Sequence, residues 1–279
     1  TLKMSKKYLV VGGVAGGMSA AARIRRLDPF ADIQVFEKGP HVSFSNCCLP
    51  FHLSGVVPTA DDLILMTPEL LKSQYNLDVK VEHEVVKINK EEKTITIRKV
   101  GSGEEYEESY DKLILSPGAR AIRPSSIIGV DRDNVFTVKN VVDIDRLKKY
   151  IDENNIEDVA VIGGGFIGLE VMESLREAGK NVTLVEGTDQ ILAPLDYDLV
   201  QVLNKEIYDK GVTLLYNEKL IEVAEEKIIL ESGKEVKAGV VVLAIGVLPE
   251  AGLAKDAELE FGETGGILVN HHYQTSDPD

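Results

Sequence analysis

One pattern occurs twice in this chain, and it restricts the fold more than any other feature. In the first copy, Tyr8-Leu9-Val10-Val11 is a short β-branched run that stops at Gly12-Gly13-Val14-Ala15-Gly16-Gly17. An Ala-rich helix is expected over Met18 to Leu27, and the next apolar run, Ile33-Gln34-Val35-Phe36, ends on Glu37. In the second copy, Val159-Ala160-Val161-Ile162 meets Gly163-Gly164-Gly165-Phe166-Ile167-Gly168; a helix is expected through Ala178, and Val182-Thr183-Leu184-Val185 ends on Glu186. Gly12 and Gly163 stand 151 positions apart, and Glu37 and Glu186 stand 149 apart. A strand that runs through a glycine turn into a helix leaves amide N–H groups free for a pyrophosphate, and an acid closing the next strand reaches a ribose hydroxyl. The second copy carries all three glycines of G-x-G-x-x-G at Gly163, Gly165 and Gly168, whereas Val14 replaces the middle one in the first.

Each copy is followed by short β-forming runs. Val79 to Val81, Val85 to Ile88 and Thr94 to Ile97 suggest an antiparallel meander, and Val212 to Leu215 with Lys227 to Leu230 suggest another. Leu113-Ile114-Leu115 leads into Ser116-Pro117-Gly118, and Val240 to Ala244 ends at Gly246; a glycine directly after a buried strand lets the backbone approach a ligand. The expected fold is α/β, with two nested Rossmann-like dinucleotide-binding domains, each with an antiparallel β-meander insertion. The first, for FAD, covers 1–119 with a return at 247–279, and the second, for NAD, covers 120–246. Two such units imply two dinucleotides, most simply a flavin and a nicotinamide. Glu186 is followed by Gly187-Thr188-Asp189-Gln190 without an arginine, and a carboxylate repels a 2′-phosphate, so NADH is expected over NADPH.

At 279 residues and 44% apolar composition, the chain can bury a substantial core. Its formal charge of −15 disfavours nucleic acid or an anionic membrane as partner. No apolar run approaches the roughly 20 residues of a membrane helix, and the start shows no secretory segment, so a cytoplasmic location is expected. Met4 reads as the native start, with Thr1 to Lys3 added ahead of it. His41, His52, His83, His271 and His272 lack metal-ligand spacing, and no metal is expected.

The only two cysteines are adjacent, in Ser43-Phe44-Ser45-Asn46-Cys47-Cys48-Leu49-Pro50. A C-x4-C redox pair is excluded, because the residue five after Cys47 is His52. With Gly12 to Gly17, Ser43 to Cys47, Leu49-Pro50, Tyr110 to Gly118 and Gly163 to Gly168, the chain resembles the flavin-dependent pyridine nucleotide-disulfide oxidoreductases of the single-cysteine group. Within it, the resemblance is strongest to the coenzyme A-disulfide reductases and the related coenzyme A-persulfide or polysulfide reductases. This resemblance implies that Cys47 cycles between a thiolate and a mixed disulfide with coenzyme A. It implies FAD and nicotinamide contacts from Gly12, Gly13, Val14, Ala15, Gly17, Glu37, Lys38, Val85, Ser116, Pro117, Gly118, Gly163, Gly165, Phe166, Ile167, Gly168, Glu186 and Gly246. Phe166 stands where relatives place an aromatic over the flavin on the nicotinamide side. Ser19, Arg23 and Arg26 share one helix face, which in the family contacts coenzyme A, and Ser43 and Asn46 lie beside the reactive sulfur.

Three readings of Cys48 compete: a small apolar residue, a resolving thiol, or half of a vicinal disulfide with Cys47. Ala15 stands where relatives that reduce oxygen or peroxide carry a histidine, which favours thiol-disulfide chemistry; an NADH oxidase or peroxidase acting through a Cys47 sulfenate is the alternative. A flavin-binding or redox-sensing fragment is the non-enzymatic one. The family continues beyond Asp279 with a flavin-binding Gly-Asp and a dimerisation domain, so this length of chain is expected to be a fragment that releases flavin on gel filtration, and the full-length protein a homodimer.

Overall fold

The strand that enters the first glycine turn is buried on both faces, and the first unit is assembled around it. The computed structural model describes residues 5–279; Thr1 to Met4, with the expected start at Met4, lie outside the described residues. Two units result, one holding the residues up to Phe44, Ile64–Ala119 and Pro249–Asp279, the other Ser45–Leu63 and Arg120–Leu248.

In the first unit, β1 (Lys7–Val11) sends Leu9 and Val11 to one side of the sheet and Val10 to the other. α1 (Ala15–Leu27) follows, and β2 (Asp32–Phe36) lies parallel to β1, with Val35 opposite Val10. The chain then makes the one-turn helix α2 (Phe51–Ser54) in the second unit and returns as α3 (Pro68–Tyr75) and β3 (Asp78–Lys80). β4 (His83–Asn89), β5 (Thr94–Lys99) and β6 (Glu105–Ser109) form an antiparallel sheet, and β7 (Lys112–Leu115) completes the parallel order β3-β2-β1-β7. Parallel neighbours need crossovers, and these cover one face: Val10, Ile33 and Val35 pack with Met18, Ala21, Leu71 and Leu77. On the other face Leu9, Val11 and Phe36 pack with Val85, Ile88, Ile95 and Ile97.

The second unit repeats the plan. β8 (Ala119–Ala121) leads to β9 (Val135–Thr137), α4 (Val141–Glu153), β10 (Asp158–Ile162), α5 (Phe166–Glu177), β11 (Asn181–Val185), α6 (Tyr197–Asp209) and β12 (Thr213–Leu215). The antiparallel strands β13 (Leu220–Val223), β14 (Lys227–Leu230) and β15 (Glu235–Lys237) precede β16 (Val240–Leu243), after which β17 (Val247–Pro249) and α7 (Gly252–Asp256) lead back. The parallel order is β12-β11-β10-β16-β9, one strand more than in the first unit. Ala160, Ile162, Val185 and Val241 pack under Ile228 and Leu230 of the antiparallel sheet.

The α/β plan with a meander in each half is as expected, but two runs assigned to the meanders are not part of them. Val79 lies in β3, parallel to β2 opposite Val35, and Leu214 lies in β12, parallel to β11 opposite Leu184. Three-residue strands carry too few positions for alternation to reveal their partner. The third meander strand of the first unit is instead β6, whose Glu-Tyr-Glu-Glu-Ser is polar on its exposed face. Among the described residues, no helix is long and apolar enough to cross a membrane.

The duplication extends to side-chain staples. Arg25 donates from Nε to Tyr75 O at 2.9 Å and from Nη1 to Pro29 O at 2.8 Å. Arg176, 151 positions later, donates from Nε to Lys210 O at 2.7 Å and from Nη1 to Lys180 O at 2.9 Å. Carbonyls at a helix C-terminus lack intrahelical donors, and a guanidinium satisfies two groups at once. Arg176→Met is expected to lower stability in urea denaturation by about 1.5–3 kcal/mol, and Arg176→Lys to recover less than half of that, because an ammonium lacks the planar fork.

Candidate dinucleotide sites and the cysteine segment

At each glycine turn the backbone folds so closely on itself that side chains are excluded. Gly12 has φ +96°, and a Cβ there would lie 2.0 Å from Ser116 O; Gly163 has φ +109°, and a Cβ there would lie 2.3 Å from Ala244 O. A Cβ on Gly17 would lie 1.8 Å from Gly12 O, and one on Gly168 would lie 1.9 Å from Gly163 O. These contacts bring the first turn of the helix onto the end of the strand. Gly12 N–H donates to Phe36 O and Gly163 N–H to Val185 O, both at 2.8 Å, which couples each turn to the strand carrying the acid.

The acids are held by backbone amides. Glu37 accepts from Gly13 N–H at 2.9 Å and from Gly39 N–H at 2.8 Å, one on each carboxylate oxygen. Glu186 accepts from Gly164 N–H at 2.7 Å and Thr188 N–H at 2.8 Å in the same way, with the Thr188 hydroxyl adding a third bond at 2.9 Å. An ionised carboxylate has about four acceptor positions, so each acid keeps capacity for ribose hydroxyls while its orientation is fixed.

The helices behind the turns begin without a side-chain cap: Val14 precedes α1, Gly165 precedes α5, and neither first turn contains an acid. Thr67 and Asn140, in contrast, cap α3 and α4 through their own side chains. Uncapped N–H groups at a helix start suit a phosphate. A Cβ on Gly165 would meet nothing within 4 Å, so the second unit has open space at its middle glycine; Val14 fills that position in the first. These features fit a dinucleotide in both units.

In the first unit Gly12, Glu37, Lys38, Val85 and Pro117 line a cavity of about 140 Å³. Gly13 is packed under Val42, Ser116 lies against Gly12 and Gly16, and Gly118 turns with φ +72°. In the second unit Gly163, Gly165, Phe166, Ile167, Glu186 and Gly246 line a cavity of about 730 Å³. Gly168 does not line it and serves the strand-helix contact instead. Leu220, absent from the expected residues, also lines this cavity. The duplication was the signal that could have found it: His83 N–H donates to Glu37 O and Glu218 N–H to Glu186 O, which puts Leu220 in register with Val85.

Ser19, Arg23 and Arg26 are exposed together on α1, and neither arginine forms an ion pair among the described residues. Ser43 adopts φ +49°, with its N–H on Gly13 O at 2.8 Å, as Leu192 with φ +45° binds Gly164 O at 2.9 Å. Asn46 and Cys47 belong to the second unit, on a single 3-10 turn spanning Asn46–Cys48. Cys47 is exposed, Cys48 half-buried, and both are free thiols.

Parallel sheets that each enter a helix through a glycine turn place the chain among α/β proteins with two dinucleotide-binding folds. More particularly, it belongs to the pyridine nucleotide-disulphide oxidoreductase family, whose pattern matches residues 6–279. It is 34% identical over 274 residues to the coenzyme A disulfide reductase of Staphylococcus haemolyticus (strain JCSC1435), covering 98% of this chain and 61% of that protein. The reduced CoADR-RHD of Bacillus anthracis superposes with a TM-score of 0.95 at 47% identity, over 98% of this chain and 50% of that one. A NAD-dependent persulfide reductase from A. fulgidus superposes with a TM-score of 0.93 at 34% identity, over 98% and 51% respectively. The chain thus spans about three fifths of the length of the curated relatives it matches.

The turn geometry separates two kinds of glycine. Gly12→Ala, with its Cβ against a backbone carbonyl, is expected to unfold the first unit or cost more than about 3 kcal/mol in urea denaturation. Gly118→Ala, with a positive φ but open surroundings, is expected to cost about 1–2 kcal/mol.

Proposed function

We propose that this chain carries the cofactor-binding and thiol apparatus of a flavin-dependent, NAD(P)H-driven reductase of coenzyme A disulfide, coenzyme A persulfide or polysulfide, with Cys47 as its single redox-active cysteine. The observation that carries this reading is Cys47 itself, a free, exposed thiol in a chain with two uncapped glycine-turn helices. Likeness to the staphylococcal and B. anthracis proteins supports coenzyme A disulfide as the substrate, and likeness to the A. fulgidus protein supports a persulfide.

FAD, when bound, would relay electrons between a nicotinamide and sulfur. Gly12, Gly13, Val14, Ala15, Gly17 and Glu37 would hold it, with Lys38, Val85 and Ser116 to Gly118 along its path. NADH would occupy the cavity of Gly163, Gly165, Ile167, Glu186 and Gly246; the Glu186 carboxylate accepts ribose hydroxyls and repels a 2′-phosphate, which favours NADH over NADPH. Phe166 is 64% exposed at this cavity and gates access to it.

The Cys47 thiolate attacks one sulfur of a coenzyme A disulfide; the S–S bond breaks, one coenzyme A thiolate leaves, and a mixed disulfide forms. Two electrons and a proton then return Cys47 to its thiolate and release the second coenzyme A as a thiol. Ser19, Arg23 and Arg26 bind the coenzyme A nucleotide and phosphates, and Ser43 and Asn46 flank the reacting sulfurs.

The test is an anaerobic NADH titration of the chain with FAD added, followed by coenzyme A disulfide, polysulfide, peroxide or oxygen in separate runs. Reoxidation by a disulfide or polysulfide, with thiol released, is expected; Cys47→Ser should abolish it while leaving reduction by NADH intact. Turnover with peroxide or oxygen alone would overturn this reading in favour of an oxidase or peroxidase. In the same assay Arg26→Ala should raise KM for coenzyme A disulfide about tenfold, the equivalent of about 1.4 kcal/mol, with kcat little changed.

A further inference from the structure

The turns that carry Cys47 are too short to hold themselves. Asn46–Cys48 is one 3-10 turn and α2 is one helical turn, whereas an isolated helix needs about 12–15 residues to be even marginally stable. Their backbone bonds run in series: Cys48 N–H to Ser45 O at 3.3 Å, Leu49 N–H to Asn46 O at 3.4 Å, His52 N–H to Leu49 O at 3.1 Å and Leu53 N–H to Pro50 O at 2.9 Å. The two nearest the thiol are longer than the two that follow, and Gly55 N–H to His52 O at 3.4 Å closes the far end. Ser45 N–H on Leu63 O at 2.9 Å holds the near end, so the orientation of Cys47 depends further on what anchors the far end of the series.

That anchor is polar and buried. His52 is 4% exposed and is the buried polar side chain of Ser45–Leu63 among the described residues. Its Nδ1 lies 2.9 Å from Val57 O, and since a carbonyl only accepts, Nδ1 carries the proton and donates. This bond closes the chain that leaves α2 back onto the helix. On the other side of the ring, Nε2 lies 3.9 Å from Asp145 Oδ1 of α4, beyond hydrogen-bond distance and an ion pair only when both ring nitrogens carry a proton, while Asp145 Oδ2 is bound by Lys149 Nζ at 2.6 Å. One ring thus ties α2 to its exit loop and faces α4. Removing the Nδ1 donor would leave the Val57 carbonyl without this partner beside a buried ring.

We propose that His52 is the positioning residue of Cys47: its imidazole, hydrogen-bonded to the Val57 carbonyl and facing Asp145, fixes the turns that present the thiol. The proposal rests on the reading of Cys47 as the reacting sulfur, but its test does not need turnover. In a Cys48→Ala background, which leaves one thiol, Cys47 is alkylated by iodoacetamide in the full chain with FAD added, alongside thermal unfolding and disulfide reduction. His52→Leu removes the Val57 bond and the polar face toward Asp145; His52→Asn keeps an N–H at the Nδ1 position, and His52→Gln keeps one at the Nε2 position only.

The expected result is an alkylation rate changed at least fivefold in His52→Leu and His52→Gln and restored to within twofold in His52→Asn, with KM for NADH constant throughout. An unchanged rate in a folded His52→Leu, or equal rates in His52→Asn and His52→Gln, would overturn the proposal. Should His52→Leu not fold, the Asn and Gln pair decides alone. Loss of the Cys47 mechanism would show separately, as disulfide reduction that survives Cys47→Ser.

Discussion

The approach of a backbone carbonyl to a glycine Cα is the constraint on which each unit depends. Ser116 O against Gly12 and Ala244 O against Gly163 leave no room for a side chain, and Gly17 and Gly168 admit the following helix just as closely. Once strand and helix meet at that distance, the first N–H groups of the helix lack any internal acceptor, and in the second unit the helix start borders the cavity. The same turn donates to the end of the neighbouring strand, so the acid is located by the turn as well as by the sheet. A tight, side-chain-free crossing therefore determines where positive partial charge, negative charge and open space are found.

The two units follow this rule with the same hydrogen bonds and different fillings. Val14 occupies the middle position that Gly165 leaves open, and the first cavity is about 140 Å³ where the second is about 730 Å³. β16 has β9 along its outer side, whereas β7 ends the four-stranded sheet and donates from Leu113 N–H to Asp279 O at 2.8 Å. That last residue is held by two ammonium groups: Lys112 and Lys93 each reach the Asp279 carboxylate at 2.5 Å and push its pKa down to about 2. The backbone bond to Leu113 and these exposed ion pairs place Asp279 beside β7.

The cysteine segment obeys a different logic. Its turns are too short to be stable alone: α2 packs against α4 and α5, and its exit loop is tied back where His52 Nδ1 donates to Val57 O. Residues 45–63 follow the first strand-helix-strand unit in the sequence yet group with the second unit, where α2 and α4 lie. Contiguity in the chain was a poor guide to that placement, because one-turn helices carry no periodic apolar face from which a packing partner could be read.

The sequence by itself determined the paired glycine turns, both acids and the thiol. Each rests on a local pattern, a glycine at a forbidden contact or an acid ending a buried strand, that needs no knowledge of distant residues. What it left open were pairings between remote segments. The short runs at Val79 and Leu214 proved to be parallel edge strands, Leu220 joined the second cavity, and Arg25 and Arg176 reached carbonyls at the ends of later helices. Only the tertiary structure decided these, because a three-residue strand, a lone leucine or a surface arginine gains its role from the partner that packing brings to it.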